Sequence, residues 1–546
     1  MRTTGEVSAA KLRGGFYTPD PLVDTCWARV ADLVGGSGLR MLEPSAGDGA
    51  FVRGLRRSPL RSAVAAIMAI EPLEIEAERM RRALADGPAA GDVLTTSAVA
   101  WAATTGDAFD VAVGNPPFVR YQFVTAADRD AALALGERLG LRVAGVANLW
   151  IPVLLGALSR LRAGGAFAFV VPAECLTGIS AGLVRRWLID HCADVRLDLF
   201  APGSFPEVLQ EVAVLSGRRS RAAPRGALRL SMVERGRLQW SHRVTRDGPW
   251  TRYLLAPEQV AALEAAAGDA HVTALGTIAS FEVSIVTGAN DFFTVSDATA
   301  RRHGLQAWAR PLLPRIRHAP GLRYTAADHA AARAAGARAW VLDFAADAPD
   351  PRRRPGPAAY LRTGAERGLP ARYKCRIRAP WYRVPGIVAG DLLLSKRSHL
   401  HPRVVVNDVG AFTTDTIYRG RVLDGGRSAA AIAARFHSSL TLLAAELEGR
   451  SFGGGVLELV PSEIARLPVY ADAPDPGFLD RLDAIARTGD SDALIAATDA
   501  DLVARGVVQP DVLRSLNAAR RLLLARRLDR NRRTRPADAA AARAAA

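Results

Sequence analysis

The strongest constraint on the fold is an alternation of short apolar runs with helix-like stretches in the first 217 residues. The runs have the length of β-strands and fall at 40–42, 65–70, 109–113, 166–171, 195–199 and 211–215. Strands that alternate with helices are typical of a doubly wound parallel sheet. Because the last two runs follow each other closely, we expect the final strand to enter antiparallel at the sheet edge. The pattern predicts an α/β domain over residues 1–217.

The remainder of the chain is long enough for further domains, since 546 residues exceed one ordinary domain. We expect a linker with some strand at 218–249 and an α+β domain at 250–470. An Arg/Ala-rich helical extension with a disordered end should follow at 471–546. The formal net charge of +16 favours a polyanionic partner. The alternative is an arginine-coated surface without a specific partner.

Several classes of protein are disfavoured by the distribution of cysteine, histidine and apolar residues. The four cysteines are dispersed without CxxC spacing, and the nine histidines form no ligand-like cluster, so no metal site is predicted. No apolar run reaches the length of a membrane span, and the first 15 residues lack a signal-peptide segment. These features favour a soluble cytoplasmic protein in a reducing compartment.

The tetrapeptide Asn115-Pro116-Pro117-Phe118 directly follows the apolar run at 109–113. The side-chain carbonyl of Asn115 and the backbone carbonyl of Pro116 can each accept one N–H of an amine, which would aim the nitrogen lone pair at a methyl donor. Two prolines would hold these acceptors nearly rigid, and the ring of Phe118 could stack on an extruded base. The alternative is an ordinary polar turn that closes a strand.

Residues 41–51 read as a strand, a glycine-containing turn and the start of a helix. The turn residues predicted to contact a ligand through the backbone are Pro44, Ala46, Gly47 and Gly49. The segment lacks the GxGxxG pattern that binds pyrophosphate, and Glu43 would repel a phosphate. A phosphate-free, cationic cofactor such as S-adenosylmethionine suits Glu43 better.

Further residues complete the predicted cofactor site. Glu71 ends the second strand and is placed to accept the ribose hydroxyls, and Asp92, expected after the third strand, can accept from the adenine amine. Tyr17 and Thr18 lie at the start of a predicted helix and could close over the methionine moiety, and Asn115 is also predicted to contact the cofactor. Each acid alone is as readily explained as a helix cap, but together and in this order they are a strong signal.

The order of these segments resembles the γ-class DNA adenine-N6 methyltransferases. The resemblance includes 16–19, 43–49, Glu71, Asp92 and 115–118, and it continues at 148–150, 164–172 and 204–206. A softer similarity to the recognition domains of that class covers 287–293, 373–376, 381–382 and 453–459. Where many members have Tyr, this chain has Phe118. The segment 45–49 also departs from the family, because many members carry Cys or a second Ser there, and this leaves its ligand contacts to backbone groups.

The resemblance implies a seven-stranded, Rossmann-like methyltransferase sheet followed by a DNA target-recognition domain. It implies methyl transfer from S-adenosylmethionine to the N6 of an adenine flipped out of double-stranded DNA, with Phe205 as a second aromatic on the base. The predicted DNA contacts are the basic residues Lys374, Arg376, Lys396, Arg397 and Arg403. A separate restriction or defence subunit is a possible partner, and a nucleoid-associated location is expected.

Two other classes of function stay open at this point. An RNA or protein-glutamine N-methyltransferase can use a similar Asn-Pro-Pro-aromatic pocket, although such enzymes are usually smaller. A methyltransferase fold that has lost activity and serves as a DNA-binding subunit is the non-enzymatic alternative. The presence of Glu43, Glu71, Asp92 and Asn115 argues against that alternative.

Overall fold

The computed structural model describes residues 17–142, 148–178, 180–200, 212–220, 227–245, 248–344, 348–423, 427–452 and 455–533. These residues divide into two compact units. Unit 1 extends to Pro257, and unit 2 comprises Glu258–Arg532. Phe205 and the end of the tail after residue 533 lie outside the described residues.

Unit 1 is built on one nine-stranded sheet in the order β3-β2-β1-β4-β5-β7-β6-β8-β9. Six of the first seven strands in this order coincide with the predicted apolar runs, β3 is an additional strand, and the predicted α/β fold is confirmed. Their bounds are β1 Leu39–Glu43, β2 Val64–Ile70, β3 Ala90–Leu94, β4 Phe109–Gly114, β5 Leu161–Pro172, β6 Cys192–Leu199 and β7 Val212–Arg219.

Strand β7 is antiparallel, as expected, but it does not lie at the sheet edge. It pairs with β5 on one side and with β6 on the other, antiparallel to both. Residues 212–217 are all buried. A strand that is apolar on both faces is stabilised in the interior of a sheet, which explains why the predicted edge position was wrong.

The segment expected to be a linker at 218–249 instead extends the sheet. Strand β8 (Leu228–Glu234) is parallel to β6, and β9 (Arg237–Val244) is antiparallel to β8. Leu228, Leu230 and Met232 are buried and alternate with Arg229 and Ser231, which are not. This period of two is a strand signal that the high arginine content obscured.

Helices of unit 1 pack against the sheet. Helix α1 (Asp20–Ala31) buries Leu22, Val23, Cys26, Trp27 and Val30 and packs against β5 and β7. Arg29 of α1 donates to both carboxylate oxygens of Asp198 in β6, at 2.9 and 2.6 Å. The other helices are α2 Ala50–Leu55, α3 Glu74–Ala85, α4 Ala98–Thr104, α5 Ala126–Arg138, α6 Trp150–Ser159, α7 Glu174–Thr177 and α8 Gly182–His191.

Unit 2 has a mixed α+β architecture with several small sheets. The largest is a five-stranded sheet of β11 (Ala279–Glu282), β19 (Ile417–Val422), β16 (Leu392–Ser395), β18 (Val404–Asn407) and β14 (Arg323–Tyr324), in that order. The remaining strands form three further sheets: β10 Val272–Ala274 with β22 Pro468–Tyr470; β12 Thr294–Val295, β15 Trp340–Leu342 and β13 Ala309–Pro311; and β17 Arg397–Ser398, β21 Val456–Glu458 and β20 Arg450–Phe452.

The helices of unit 2 include three that lie in the expected C-terminal extension. Leu479, Leu482, Leu494 and Ile495 of this extension belong to the same hydrophobic core as the five-stranded sheet, so it is part of unit 2 rather than an appendage. Among the described residues, no helix is long and apolar enough to span a membrane. The helices are α9 Pro257–Ala267, α10 Leu275–Ile278, α11 Asn290–Phe293, α12 Asp297–Arg302, α13 Ala326–Ala334, α14 Pro355–Glu366, α15 Tyr373–Arg376, α16 Ala429–Phe436, α17 Ser439–Glu448, α18 Pro461–Ile464, α19 Phe478–Arg487, α20 Ser491–Ala504 and α21 Pro510–Arg533.

Candidate active site

The carboxyl ends of three neighbouring parallel strands bring the predicted site residues together. Strands β2, β1 and β4 are adjacent and parallel. Glu43 is the last residue of β1, Glu71 directly follows β2, and Asn115 directly follows β4. In sheets of this kind ligands bind outside the carboxyl ends of the strands. The structure therefore gathers these three residues at one edge.

A glycine-containing loop connects β1 to α2 at this edge. Gly47 (φ 51°) and Gly49 (φ 82°) both have left-handed backbone conformations that favour glycine. A Cβ on Gly47 would meet no atom within 4 Å, whereas one on Gly49 would lie 2.7 Å from the Cβ of Ala83 in α3. Gly49 therefore permits close helix packing, and Gly47 leaves open space beside the loop.

Glu43 is a buried acid without a partner among the described residues. Its side chain is 0% exposed, and neither carboxylate oxygen accepts a hydrogen bond. Burial raises its pKa well above the usual range, and the nearby carboxylates of Asp48 and Glu71 act in the same direction. A buried carboxylate without a donor is a favourable site for a cationic ligand. Its two acceptor oxygens fit the ammonium group of S-adenosylmethionine, which carries only donors.

Glu71 stabilises the glycine loop. One of its carboxylate oxygens accepts from the backbone N–H of Gly47 at 2.9 Å, and the other accepts from that of Leu73 at 3.0 Å. Burial raises the pKa of Glu71, and these two backbone donors oppose the shift. Each carboxylate oxygen has a second lone pair, so the group can still accept from two hydroxyls.

The position of Asp92 differs from the expected one. It lies within β3, opposite Met68 of β2, and not after the strand. Its side chain is exposed on the edge strand. No range was predicted for this strand and its end was expected before Asp92, whereas Val93 and Leu94 continue the pairing with β2 for two more residues.

Leu73 is an exposed apolar residue at the site that the motifs did not single out. It follows Glu71 by two residues and is 38% exposed. Its backbone N–H is bound to Glu71, which fixes its position at the end of β2. The available signal was an apolar residue two positions after the acid that follows a strand, where an aromatic ring of a ligand could pack.

Tyr17 and Thr18 contact two different parts of the site. The hydroxyl of Tyr17 donates to Glu76 at 3.3 Å and accepts from Arg79 at 2.6 Å, both in α3. The hydroxyl oxygen of Thr18 accepts from the side-chain amide Nδ2 of Asn115 at 3.2 Å. Thr18 was predicted as a cofactor residue, but its contact in the structure is with Asn115.

The amide of Asn115 is held so that its oxygen has no partner among the described residues. Nδ2 donates to Thr18, and the backbone carbonyl accepts from the hydroxyl of Ser45 at 3.0 Å. Oδ1 is buried and accepts no hydrogen bond. Pro116 is buried, and the partly buried ring of Phe118 packs against the hydrophobic core of unit 1. The site thus has a fixed, unused acceptor, and the aromatic residue Phe118 follows it by three positions.

The basic residues predicted to contact DNA fall into three different environments in unit 2. Lys374 and Arg376 are exposed on α15. Lys396 and Arg397 both lie next to Glu458, at 3.7 and 2.5 Å. Arg403 donates to the backbone carbonyls of residues 319–321 at 2.7–3.2 Å, and burial lowers its pKa. The structure therefore gives Arg403 a role in holding a loop and leaves Lys374 and Arg376 best placed for a polyanion.

The chain is similar to one described protein family and to several solved structures. Residues 247–503 match the family model of the C-terminal domain of the type II methyltransferase M.Eco57I. The structure is similar to that of the type IIL restriction-modification enzyme MmeI in complex with DNA, with a TM-score of 0.52 and 14% identity over 99% of this chain and 79% of MmeI.

Two further solved structures match with lower scores. The type IIG restriction endonuclease BpuSI matches with a TM-score of 0.41 and 14% identity, over 96% of this chain and 68% of BpuSI. The M protein of the type I restriction enzyme EcoKI matches with a TM-score of 0.30 and 15% identity, over 40% of this chain and 48% of that protein. The similarity to MmeI extends over nearly the whole chain and shows that the two proteins share a fold.

Proposed function

We propose that this protein is a DNA methyltransferase of a restriction-modification or related defence system that methylates the N6 amine of adenine in duplex DNA. The observation that carries the proposal is the buried, unpartnered Oδ1 of Asn115 beside Pro116 and Phe118. The match of residues 247–503 to the C-terminal domain of M.Eco57I supports it. The fold similarity to MmeI, which was solved in complex with DNA, supports it as well.

Residues at the ends of β1 and β2 form the proposed cofactor site. S-adenosylmethionine supplies a methyl group on a cationic sulfur. Glu43 binds its ammonium group, the loop containing Pro44, Ala46 and Gly47 lies along it, and Glu71 accepts from the ribose hydroxyls. Leu73 provides an apolar surface for its adenine ring. Tyr17 and Asp92 remain proposed cofactor contacts from the sequence resemblance.

Residues after β4 select an amine. Asn115 Oδ1 and the Pro116 carbonyl each accept one N–H of the target, which localises the nitrogen lone pair away from the aromatic ring. A carbonyl oxygen on the base would be repelled by the same two acceptors. Flipping a base costs a few kcal/mol, and stacking on Phe118 returns ~1–3 kcal/mol. Phe205, outside the described residues, is the second aromatic proposed from the sequence.

Thr18 is proposed to orient the Asn115 amide. Thr18→Val removes the acceptor of Nδ2 with little change in volume, so the amide loses its fixed orientation. We expect methyl transfer at saturating cofactor to fall about 5-fold, because one hydrogen bond is worth ~1 kcal/mol, while Thr18→Ser stays near the wild-type rate. Single-turnover methylation and cofactor titration measure the two quantities. A weaker cofactor affinity with an unchanged rate would instead indicate that Thr18 contacts the cofactor.

Glu43 is expected to release a proton when the cofactor binds. Its pKa is raised in the free protein, and a bound ammonium group lowers it, so the affinity should rise with pH between the bound and free pKa values. Calorimetry in buffers with different ionisation heats measures this release. Glu43→Gln should abolish the release and weaken binding about 10-fold. An unchanged proton release in that variant would show that another group titrates.

The function is tested directly by sequencing DNA from cells that express the protein, with detection of modified bases. We expect N6-methyladenine at one sequence motif, and none with the Asn115→Ala variant. N4-methylcytosine in place of N6-methyladenine would support methylation of an exocyclic amine but would identify cytosine as the target base. Methylated RNA or protein glutamine with unmodified DNA would contradict the proposal.

A further inference from the structure

Two large apolar side chains lie exposed on the short helix α15 and the residue that follows it. Tyr373 is 64% exposed and Ile377 is 63% exposed. They are four residues apart, so in helical geometry they lie on the same side. Water-exposed side chains of this size in adjacent positions form a patch that is favourable for contact with a partner. We refer to residues 372–378 as the α15 surface.

The α15 surface is held in a fixed position by contacts with other residues of unit 2. Cys375, between the two exposed residues, is fully buried in a cluster with Phe292 and Tyr382. Arg378 donates to the backbone carbonyls of Thr287 and Val286, each at 2.8 Å. These contacts fix the direction in which the exposed side chains of α15 point.

The loop beneath α15 packs so closely that it requires a glycine. Gly288 has a positive φ of 78°, and a Cβ at this position would lie 2.8 Å from the Cβ of Lys374. Cys375 Sγ lies 4.0 Å from the carbonyl oxygen of Thr287 in the same loop. The exposure of Tyr373 and Ile377 is therefore a property of an ordered surface.

Basic residues alternate with the apolar ones. Arg372, Lys374 and Arg376 are exposed, and the ammonium group of Lys374 lies 5.5 Å from the ring centroid of Tyr373. Among the described residues, no carboxylate forms an ion pair with Lys374 or Arg376. An apolar pair surrounded by unneutralised cations is complementary to a partner that combines negative charge with apolar surfaces. Duplex DNA has both, in its phosphates and in its base and sugar faces.

We propose that Tyr373 and Ile377 enter a DNA groove and contact bases or sugars, while Lys374 and Arg376 bind the flanking phosphates. This inference rests on the proposed DNA methyltransferase function. It assigns different tasks to neighbouring residues of one surface. The apolar pair contributes contacts that are independent of salt, and the basic pair contributes the release of counterions.

The test is a salt titration of binding to unmethylated genomic DNA fragments by the full-length protein. The Tyr373→Ala/Ile377→Ala variant should bind about 10-fold more weakly at each salt concentration, with an unchanged slope of log affinity against log salt. Lys374→Ala and Arg376→Ala should each reduce that slope by about 0.9.

Matched controls separate the proposal from general effects. Leu423, also in unit 2, is 55% exposed, and Leu423→Ala should leave DNA affinity unchanged. Tyr373→Phe should retain most of the affinity, because the ring remains. Wild-type affinity in the double alanine variant would overturn the assignment of the α15 surface while leaving the proposed function intact. Absence of salt-dependent DNA binding by the wild-type protein would instead contradict the proposed function.

Discussion

Replacement of Asn115 by Ala is expected to reduce methyl transfer by at least about 100-fold, the loss seen when one preorganised hydrogen-bonding group is removed from a reaction centre. The reason is the environment of its amide. Thr18 and Ser45 hold Asn115 by Nδ2 and by the backbone carbonyl, and Oδ1 is left as an unused acceptor. In the alanine variant the amine keeps only the Pro116 carbonyl, so its lone pair stays delocalised into the base.

Asn115→Ala should leave the fold and the cofactor site nearly unchanged. Glu43 and the contacts of Glu71 with the glycine loop do not involve Asn115. We therefore expect a wild-type melting temperature and a cofactor affinity within a few-fold of wild type, measured by calorimetry, alongside the loss of rate in a single-turnover assay. A variant that transfers methyl groups at the wild-type rate would exclude Asn115 from the chemistry.

The sequence was sufficient to predict which candidate residues lie together at one sheet edge, where those residues stand at the ends of strands. Glu43, Glu71 and Asn115 each follow an apolar run, and parallel strands bring such ends to one edge regardless of the remaining packing. Asp92 was misplaced because strand ends depend on pairing with a neighbour, which the chain does not encode locally. The partner of Thr18 was not predictable either, since 97 residues separate it from Asn115.

Arginines caused the main errors in the predictions made from the sequence. Their abundance suggested a linker at 218–249, although the buried alternation of Leu228, Leu230 and Met232 forms a strand. Composition also suggested a DNA contact for Arg403, whose guanidinium is occupied by backbone carbonyls. A side chain with five donors binds whichever acceptors the fold brings close, and sequence alone does not distinguish a carbonyl from a phosphate.

Helix α21 shows the same ambiguity, because its arginines divide between a buried and an exposed face. Arg527 is 4% exposed and donates to Glu446 at 2.6 and 2.8 Å, and to the carbonyls of His399 and Leu400 at 2.7 Å each. It also donates to the carbonyl of Gly455. This helix begins after residue 503, where the match to the M.Eco57I domain ends. One buried arginine thus connects α21 to three segments of unit 2.

Replacement of Arg527 by Met should lower the free energy of unfolding by about 3–5 kcal/mol, because it leaves the 5%-exposed carboxylate of Glu446 buried without its partner. Arg521 of the same helix is the matched control. It is 59% exposed and pairs at 3.1 Å with Asp492, which is 58% exposed, so Arg521→Met should change stability by less than about 1 kcal/mol. Urea denaturation followed by circular dichroism compares the two variants.

The double variant Arg527→Met/Glu446→Leu separates two contributions to the loss of unfolding free energy: the unpaired carboxylate of Glu446, and the backbone carbonyls that lose their donor. Removal of both charges eliminates the unpaired carboxylate, so stability should recover in part, while the carbonyls of His399, Leu400 and Gly455 stay without their donor. Full loss in the double variant would show that the carbonyl contacts dominate. Equal, small effects of Arg527→Met and Arg521→Met would mean that α21 does not stabilise unit 2 through its buried arginine.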